Sequence, residues 1–372
     1  MQLITSYSFD DREGITMKKS IIALTMIASI ASVASGTASA CSRIIQDTGD
    51  AHGISIARSY DWGGTELKSI ARVQVNGTER TSKPVPEYQH AASWQVKYNT
   101  VSFEEVETFH NTTGEAINTE GLSASMLYMD DSKYFIKDIK DDGKPAVHLS
   151  DIVPFIVESY ANVEEAVQAF EDGQWQIAFK TGIGGHQHGF HVSVQDKSGD
   201  IALFQLNAGG KMVVHRGDVS TDLRVMANSP LQQDHRAYAA QFDTTQTVGL
   251  PSSISSADRN VRGLAATHAA NWNDDSIGTE WMNIRGKIKS IFDYGNKVPA
   301  DMIDPTNDVG YRTWETFVYS LETGGITYYN EGNASQLSLH INDIKTMQTE
   351  MCADIFNQAH QTGKISWGAC TK

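Results

Sequence analysis

The chain has little of what would put it in a specialised class. Of its 372 residues, 8 are proline and 3 are cysteine, and no stretch is repetitive, of low complexity or heptad-patterned. That excludes a repeat array, a coiled coil and a linker-like protein. Positive charge is also short: 30 Lys and Arg stand against 45 Asp and Glu, a net charge of -15. A general nucleic-acid surface and a polybasic membrane patch are therefore excluded. What remains, 40% hydrophobic and 20% charged, is the profile of a globular protein long enough for one large core or two modest ones. No Pro/Gly/Ser-rich linker splits it, so one domain is expected over residues 41–372.

One apolar run stands out, near the N-terminus. Met17-Lys18-Lys19 is a short basic start, Ile21 to Gly36 is apolar, and Ala38-Ser39-Ala40 is a small-x-small site. Together they predict a secretory signal peptide over residues 1–40, with Met17 as the true start, because Asp10, Asp11 and Glu13 suit no basic leader. The run is too short and too rich in Ala and Ser for a transmembrane helix. The expected location is the periplasm or the medium. As many acidic as basic side chains leave with this segment, so the mature charge stays at -15.

Cleavage makes Cys41 the first residue, and two chemistries fit. In a lipoprotein, the thiol and then the α-amine are acylated; such sites usually carry Leu three residues earlier, where this chain has Ala38. In an N-terminal nucleophile enzyme, the thiolate attacks and the α-amine, with a pKa of roughly 7.7–8.0, is its base. One residue then supplies both groups. The two chemistries exclude each other, since an acylated amine accepts no proton. Cys352 and Cys370 can bridge in an oxidising compartment and leave Cys41 as the odd thiol. Three reduced thiols fit a chain of this size equally well.

Along the mature chain, the region from Gly53 to about Leu127 reads as strands. His52 to Arg58 alternates, Ser69 to Val75 ends at the turn pair Asn76-Gly77, and Trp94 to Tyr98 and Ala116 to Met129 read similarly. A helical stretch is expected from about Leu149 to Phe170, with a capping box at Asn162-Val163-Glu164-Glu165. Strands return at Gln176–Lys180, Phe190–Gln195, Ile201–Leu206 and Met212–His215; Ser255 to Asn271 is again helical, and Thr316 to His340 alternates around Thr323-Gly324-Gly325. Strands, helices, then strands predict an α+β fold of two stacked antiparallel sheets with helices outside.

Five segments, in order, resemble one family. They are Cys41-Ser42-Arg43-Ile44 with Ala57-Arg58-Ser59-Tyr60-Asp61-Trp62; Asn118-Thr119-Glu120-Gly121-Leu122; His191-Val192-Ser193-Val194 with Asp196 and Gly199; Val225-Met226-Ala227-Asn228-Ser229-Pro230; and Ser256-Ala257-Asp258-Arg259 with Val261-Arg262. They resemble the choloylglycine hydrolase family of penicillin V acylases and conjugated bile salt hydrolases. The resemblance implies a four-layer αββα N-terminal nucleophile sandwich, no metal and no organic cofactor, a small-molecule amide as substrate, and a homotetramer. It implies Cys41 as nucleophile, Arg58 beside the thiolate, Asp61 holding the α-ammonium, Asn228 and Tyr128 as oxyanion donors, and Arg259 ordering the others. Trp62 and Tyr128 would wall the acyl pocket. Trp62 after Asp61 resembles the family's Gram-negative branch, while Tyr128 is commoner in its Gram-positive penicillin V acylases, and Asn260 replaces the usual Phe. The implied activity is penicillin V acylase-like, with bile salt hydrolysis or acyl-homoserine lactone cleavage as rivals and an anchored lipoprotein as the non-enzyme rival.

Taken singly, the same residues have plainer readings. Arg58 and Asp61 fit a surface ion pair worth roughly 0–1 kcal/mol, Asn228 before Ser-Pro fits ordinary turn chemistry, and Tyr128 fits a core position. His186 and His188 have alternate strand spacing with His191 three residues further on, yet no carboxylate or Cys completes a tetrahedral metal set.

Overall fold

The computed structural model describes residues 41–50, 52–274, 276 and 278–370; the expected signal peptide, residues 1–40, lies outside them. The first strands are β1 (Ser42–Asp47), β2 (Ile54–Trp62), β3 (Ser69–Gln74), β4 (Thr100–Glu105), β5 (Thr112–Asn118) and β6 (Leu122–Tyr128). Helices α1 (Ile152–Ser159) and α2 (Val163–Glu171) follow, then β7 (Phe190–Asp196), β8 (Asp200–Asn207), β9 (Lys211–Asp218) and β10 (Val225–Ala227). Helices α3 (Gln232–Ala239), α4 (Ser256–Ala269) and α5 (Trp281–Gly295) lead into β11 (Arg312–Ser320), β12 (Gly325–Asn330), β13 (Ser335–His340), β14 (Met351–Ala353) and β15 (Gly363–Lys364).

Among the described residues these strands form a seven-stranded sheet, in the order β10-β1-β2-β11-β12-β13-β15, and an eight-stranded sheet, β9-β8-β7-β6-β5-β4-β3-β14. Apart from β13–β15, their neighbours run antiparallel. Side-chain alternation assigns each strand residue to a layer. In β2, Ile54, Ile56 and Tyr60 pack between the sheets with Ile117, Phe103 and Leu127, while Ala57 packs outward with Leu264, Ile288 and Phe292 of α4 and α5. On the far side, Ile152, Ile156, Val163 and Val167 of α1 and α2 cover Ala124, Val192 and Phe204 of the eight-stranded sheet. The result is the four-layer αββα sandwich. Because both faces of β2 are covered, all nine of its residues are buried, and its period-2 pattern separates two interiors rather than core from solvent. No helix among the described residues is long and apolar enough to cross a membrane.

The sequence pattern blurs two boundaries. The helical stretch expected over 149–170 is two helices, split where Asn162 caps α2 by accepting the Glu165 N–H at 2.9 Å. Glu165 reaches back to the Ala161 N–H at 2.9 Å rather than to that of Asn162, a capping box shifted by one residue. Asn118 takes the orphan carbonyls at the end of α1, its amide donating to Val157 O and Tyr160 O at 2.8 Å each. The segment 116–129 is a hairpin, not one strand. Its turn holds Gly121 at φ 85°, where a Cβ would stand 2.7 Å from Leu321 O. Helices α3 and α5 carry no signal that the patterning above detects. Finally, Cys352 and Cys370 form a disulfide joining the edge strand β14 to the C-terminal segment, and Cys41 stays outside it.

Candidate active site

Strand pairing gathers the candidate residues. Ser42 pairs with Ser59 of β2 on one side and with Ala227 of β10 on the other. The next register position sets Cys41 beside Asn228. Cys41 is buried, and its Sγ lies 3.9 Å from the main-chain oxygen of Asp61. Both sheets carry a bulge here. Trp314 is the extra residue of β11 opposite Asp61 and Tyr60, and Gly114 is the extra residue of β5 opposite Phe103 and Glu104. A bulge bends its strand and stops regular pairing, and a cavity lies here at the end of the inter-sheet layer, lined by Tyr60, Asp61 and Gly114 among others. At Gly114 a Cβ would stand 2.6 Å from the Tyr60 hydroxyl, so only glycine admits that ring.

Cys41, Arg58, Asp61 and Tyr128 line this cavity, with Leu67, Phe109, Met126 and Phe190 as apolar wall. Arg58 points between the sheets. Its Nη2 donates to Met126 O at 2.6 Å, its Nε lies 3.3 Å from Glu115 Oε2, and its guanidinium stacks 3.9 Å from the Tyr60 ring centre. Burial pulls the Arg58 pKa down, but Tyr60, Cys41, Glu115 and Asp61 more than restore it, so the cation is held firmly. Arg259, in the first turn of α4, comes from the opposite face of β2. Its Nη1 donates to Ser42 Oγ, to Cys41 O at 3.4 Å and to Asp61 Oδ2 at 3.4 Å. Burial pushes the Asp61 carboxyl up to about 6 against the opposing pull of Arg259, Thr313, Ser59 and Arg58. The groups around Cys41 therefore come from both faces of one strand.

One family-implied residue sits differently from the expectation. Tyr128 lines the cavity as expected, with its hydroxyl donating to Asp130 Oδ1 at 2.9 Å. Trp62 is not among the cavity-lining residues; it packs edge-on against Phe109, with ring centres 4.5 Å apart, and Phe109 forms that wall. Asn228 is buried at the end of β10, its carbonyl taken by His235 Nε2 of α3 at 2.7 Å. His191 is buried in β7, and no group of three or more His, Cys, Asp or Glu suited to a metal occurs among the described residues.

Comparison with known proteins bears on the family and the fold. The family model for linear amide C–N hydrolases of the choloylglycine hydrolase family matches residues 41–338. The chain belongs to that family. As a member it is a hydrolase of linear amide C–N bonds. A penicillin V acylase of Pectobacterium atrosepticum is 26% identical over 267 residues, 70% of this chain and 67% of the relative. The penicillin V acylase structure from Agrobacterium tumefaciens superposes with a TM-score of 0.71 at 22% identity, covering 89% of this chain and 98% of that one. A conjugated bile acid hydrolase from Clostridium perfringens gives 0.65 at 14% identity, with 89% and 97% covered. Within the family frame, sequence reasoning missed Glu115, Phe109, Phe190 and Arg43. Glu115 left one signal, a carboxylate directly before the apolar pair Ala116-Ile117 in a strand that is buried at all but one position.

Proposed function

We propose that the mature protein is an exported N-terminal cysteine amidase with penicillin V acylase-like activity. The observation that carries this reading is that Cys41 opens onto an apolar cavity between a buried arginine and a buried aspartate, at the residue where the family match begins. Cys41 Sγ attacks the amide carbon while the α-amine, freed by cleavage after Ala40, takes the thiol proton and passes it to the leaving amine. Asn228 donates to the oxyanion, an interaction worth about 2.7–4 kcal/mol per donor in the transition state. Arg58 stabilises the thiolate, Asp61 holds the α-ammonium, and Arg259 fixes the Cys41 carbonyl, Ser42 and Asp61 in one arrangement. Water then cleaves the thioester. By the same family pattern, we take the enzyme to be a homotetramer.

The walls point to the acyl group. Phe109, Tyr128 and Phe190 offer rings for edge-on or offset stacking, worth about 0.5–1.5 kcal/mol beyond burial, which suits a phenoxyacetyl group. A narrow cavity walled by these rings and by Leu67 and Met126 accepts that group or a flexible acyl chain more readily than a rigid steroid. The expected order of kcat/KM is penicillin V and long-chain acyl-homoserine lactones ahead of conjugated bile salts, in one buffer.

Intact mass of the exported protein should give residues 41–372 without lipid. Cys41→Ala and an uncleavable residue ahead of Cys41 should each abolish turnover, at least about 10³-fold. A diacylglycerol mass on Cys41 breaks the enzyme reading; activity in the extended form removes the α-amine as base; a bile salt ranked first overturns the substrate alone.

A further inference from the structure

Arg43 and Arg58 are direct register partners on β1 and β2, and both are buried. Like charges in opposite positions of an antiparallel pair repel, and burial raises the cost of each. Burial pulls the Arg43 pKa down to about 10, with Arg58 adding to the fall and Tyr319 and Glu115 opposing it. The carboxylate that meets these cations comes from the other sheet. Glu115, on β5, lies 3.3 Å from Arg58 Nε and is itself held by the Tyr319 hydroxyl and by the Ser125 hydroxyl at 3.0 Å. Glu115 does not line the cavity that holds Cys41, whereas Arg58 does. Its reach toward the thiol therefore runs through Arg58.

We propose that Glu115 is a positioning residue: a buried carboxylate, fixed by Tyr319 and Ser125 across the sheet interface, that aims the Arg58 guanidinium at the Cys41 side of the cavity and offsets the Arg43–Arg58 repulsion. The proposal rests on the reading of Cys41 as nucleophile with Arg58 beside its thiolate. Met126 O holds Nη2 and the Tyr60 ring covers the face of the guanidinium, while Glu115 lies beside Nε as its ion-pair partner, its carboxyl pushed up to about 7 by burial against the pull of Arg58, Tyr319, Ser125 and Arg43. In a dry interior a guanidinium without its carboxylate turns to the nearest acceptor, so the loss appears in the chemical step rather than in substrate affinity.

The test is a double-mutant cycle on the mature enzyme. Glu115→Gln keeps an oxygen for Tyr319 and Ser125 but removes the charge; we expect kcat to fall about tenfold or more with KM changed less than about threefold. Glu115→Asp should recover part of that loss. In an Arg58→Met background, where there is nothing left to aim, Glu115→Gln should change kcat by less than about twofold. The same loss with and without Arg58, or full kcat in Glu115→Gln, would overturn the proposal. If Glu115→Gln does not fold, Glu115→Asp and Tyr319→Phe are read in the same cycle against the same criterion. Cys41→Ala, assayed alongside, reports on the nucleophile alone: full activity there defeats that reading, whereas total loss with an additive Glu115 cycle defeats only the positioning role.

Discussion

The two interiors flanking the eight-stranded sheet are built on opposite rules. Outside it, under α1 and α2, Trp175 sits among Phe155, Phe170 and Phe204 with ring centres 4.9 to 5.6 Å away, and Glu158 is met at the edge by Arg80 at 2.6 Å. Inside it, between the sheets, hydrocarbon is threaded by Arg43, Arg58, Glu115 and Glu315, all buried. Area alone explains the first layer, at about 1.5–3 kcal/mol for each fully buried large side chain. The second layer gives up stability to hold two guanidinium ions and two carboxyls out of water, where charges are less screened. The cavity at Cys41 opens on this layer.

If the helix-side layer supplies stability and not chemistry, breaking it should leave the site intact. Trp175→Ala is expected to cost about 3–5 kcal/mol of folding stability while kcat per folded molecule stays unchanged, measured by denaturant unfolding beside active-site titration. A matching fall in kcat would erase the distinction.

Asp61 sharpens the contrast from the other side, because activity needs the form that burial disfavours. With its carboxyl pushed up to about 6 in the folded chain and an ordinary value near 4 when unfolded, its contribution to stability is complete below the unfolded value and fades as pH rises through about 6. In the proposed mechanism catalysis runs the opposite way, since the carboxylate must be ionised to hold the α-ammonium. There the α-ammonium freed by cleavage after Ala40 draws the value down, so kcat/KM should fall about tenfold per pH unit on an acid limb centred at or below about 6. Asp61→Asn should lose that component and keep, at low activity, only the limb of the α-amine, which must be neutral to take the thiol proton. A component centred at or below about 6 that survives the substitution would assign it elsewhere.

The smallest expected effect tests a buried carboxyl remote from Cys41. Burial pushes the Glu315 carboxyl up to about 8, with Ser69 and Tyr328 opposing and Glu105 adding to the rise. Its contribution to stability is therefore present below an ordinary glutamate value and lost as pH climbs through about 8. Glu315→Gln should match wild type in melting temperature at pH 5 and exceed it by about a few degrees at pH 9. Equal melting temperatures at pH 9 would mean that this carboxyl stays uncharged or finds water.

Much of the fold was legible in the sequence, and for a definite reason. Period-2 alternation in 54–58, 190–195 and 316–340 survives as β2, β7 and the β11–β13 meander because side-chain direction is a local property of a strand. Helix α5 was not legible, because its buried face is thin: Ile284, Ile288 and Phe292 in a helix that also carries the exposed Met282 and Tyr294. The split of 149–170 lay in plain view at Asn162, yet what makes it final is Asn118, which belongs to a distant hairpin.

The candidate site divides along the same line. The sequence by itself determined which residues carry reactive groups near chain landmarks: a cysteine after a small-x-small site, Arg58 and Asp61 in one short motif, Asn228 before Ser-Pro, and Arg259 in a helical stretch. Tertiary structure alone decided the assignment of each to a face. Arg58 and Asp61 are three residues apart and so project to opposite sides of β2, one toward Glu115 and the other toward Arg259. It also decided that Phe109 rather than Trp62 walls the cavity, and that Cys352 and Cys370 bridge. The physical reason is one of range. Propensity and periodicity act over a few residues, whereas cavity, ion pair and disulfide join groups far apart in the chain, which only the packing of the two sheets brings within reach.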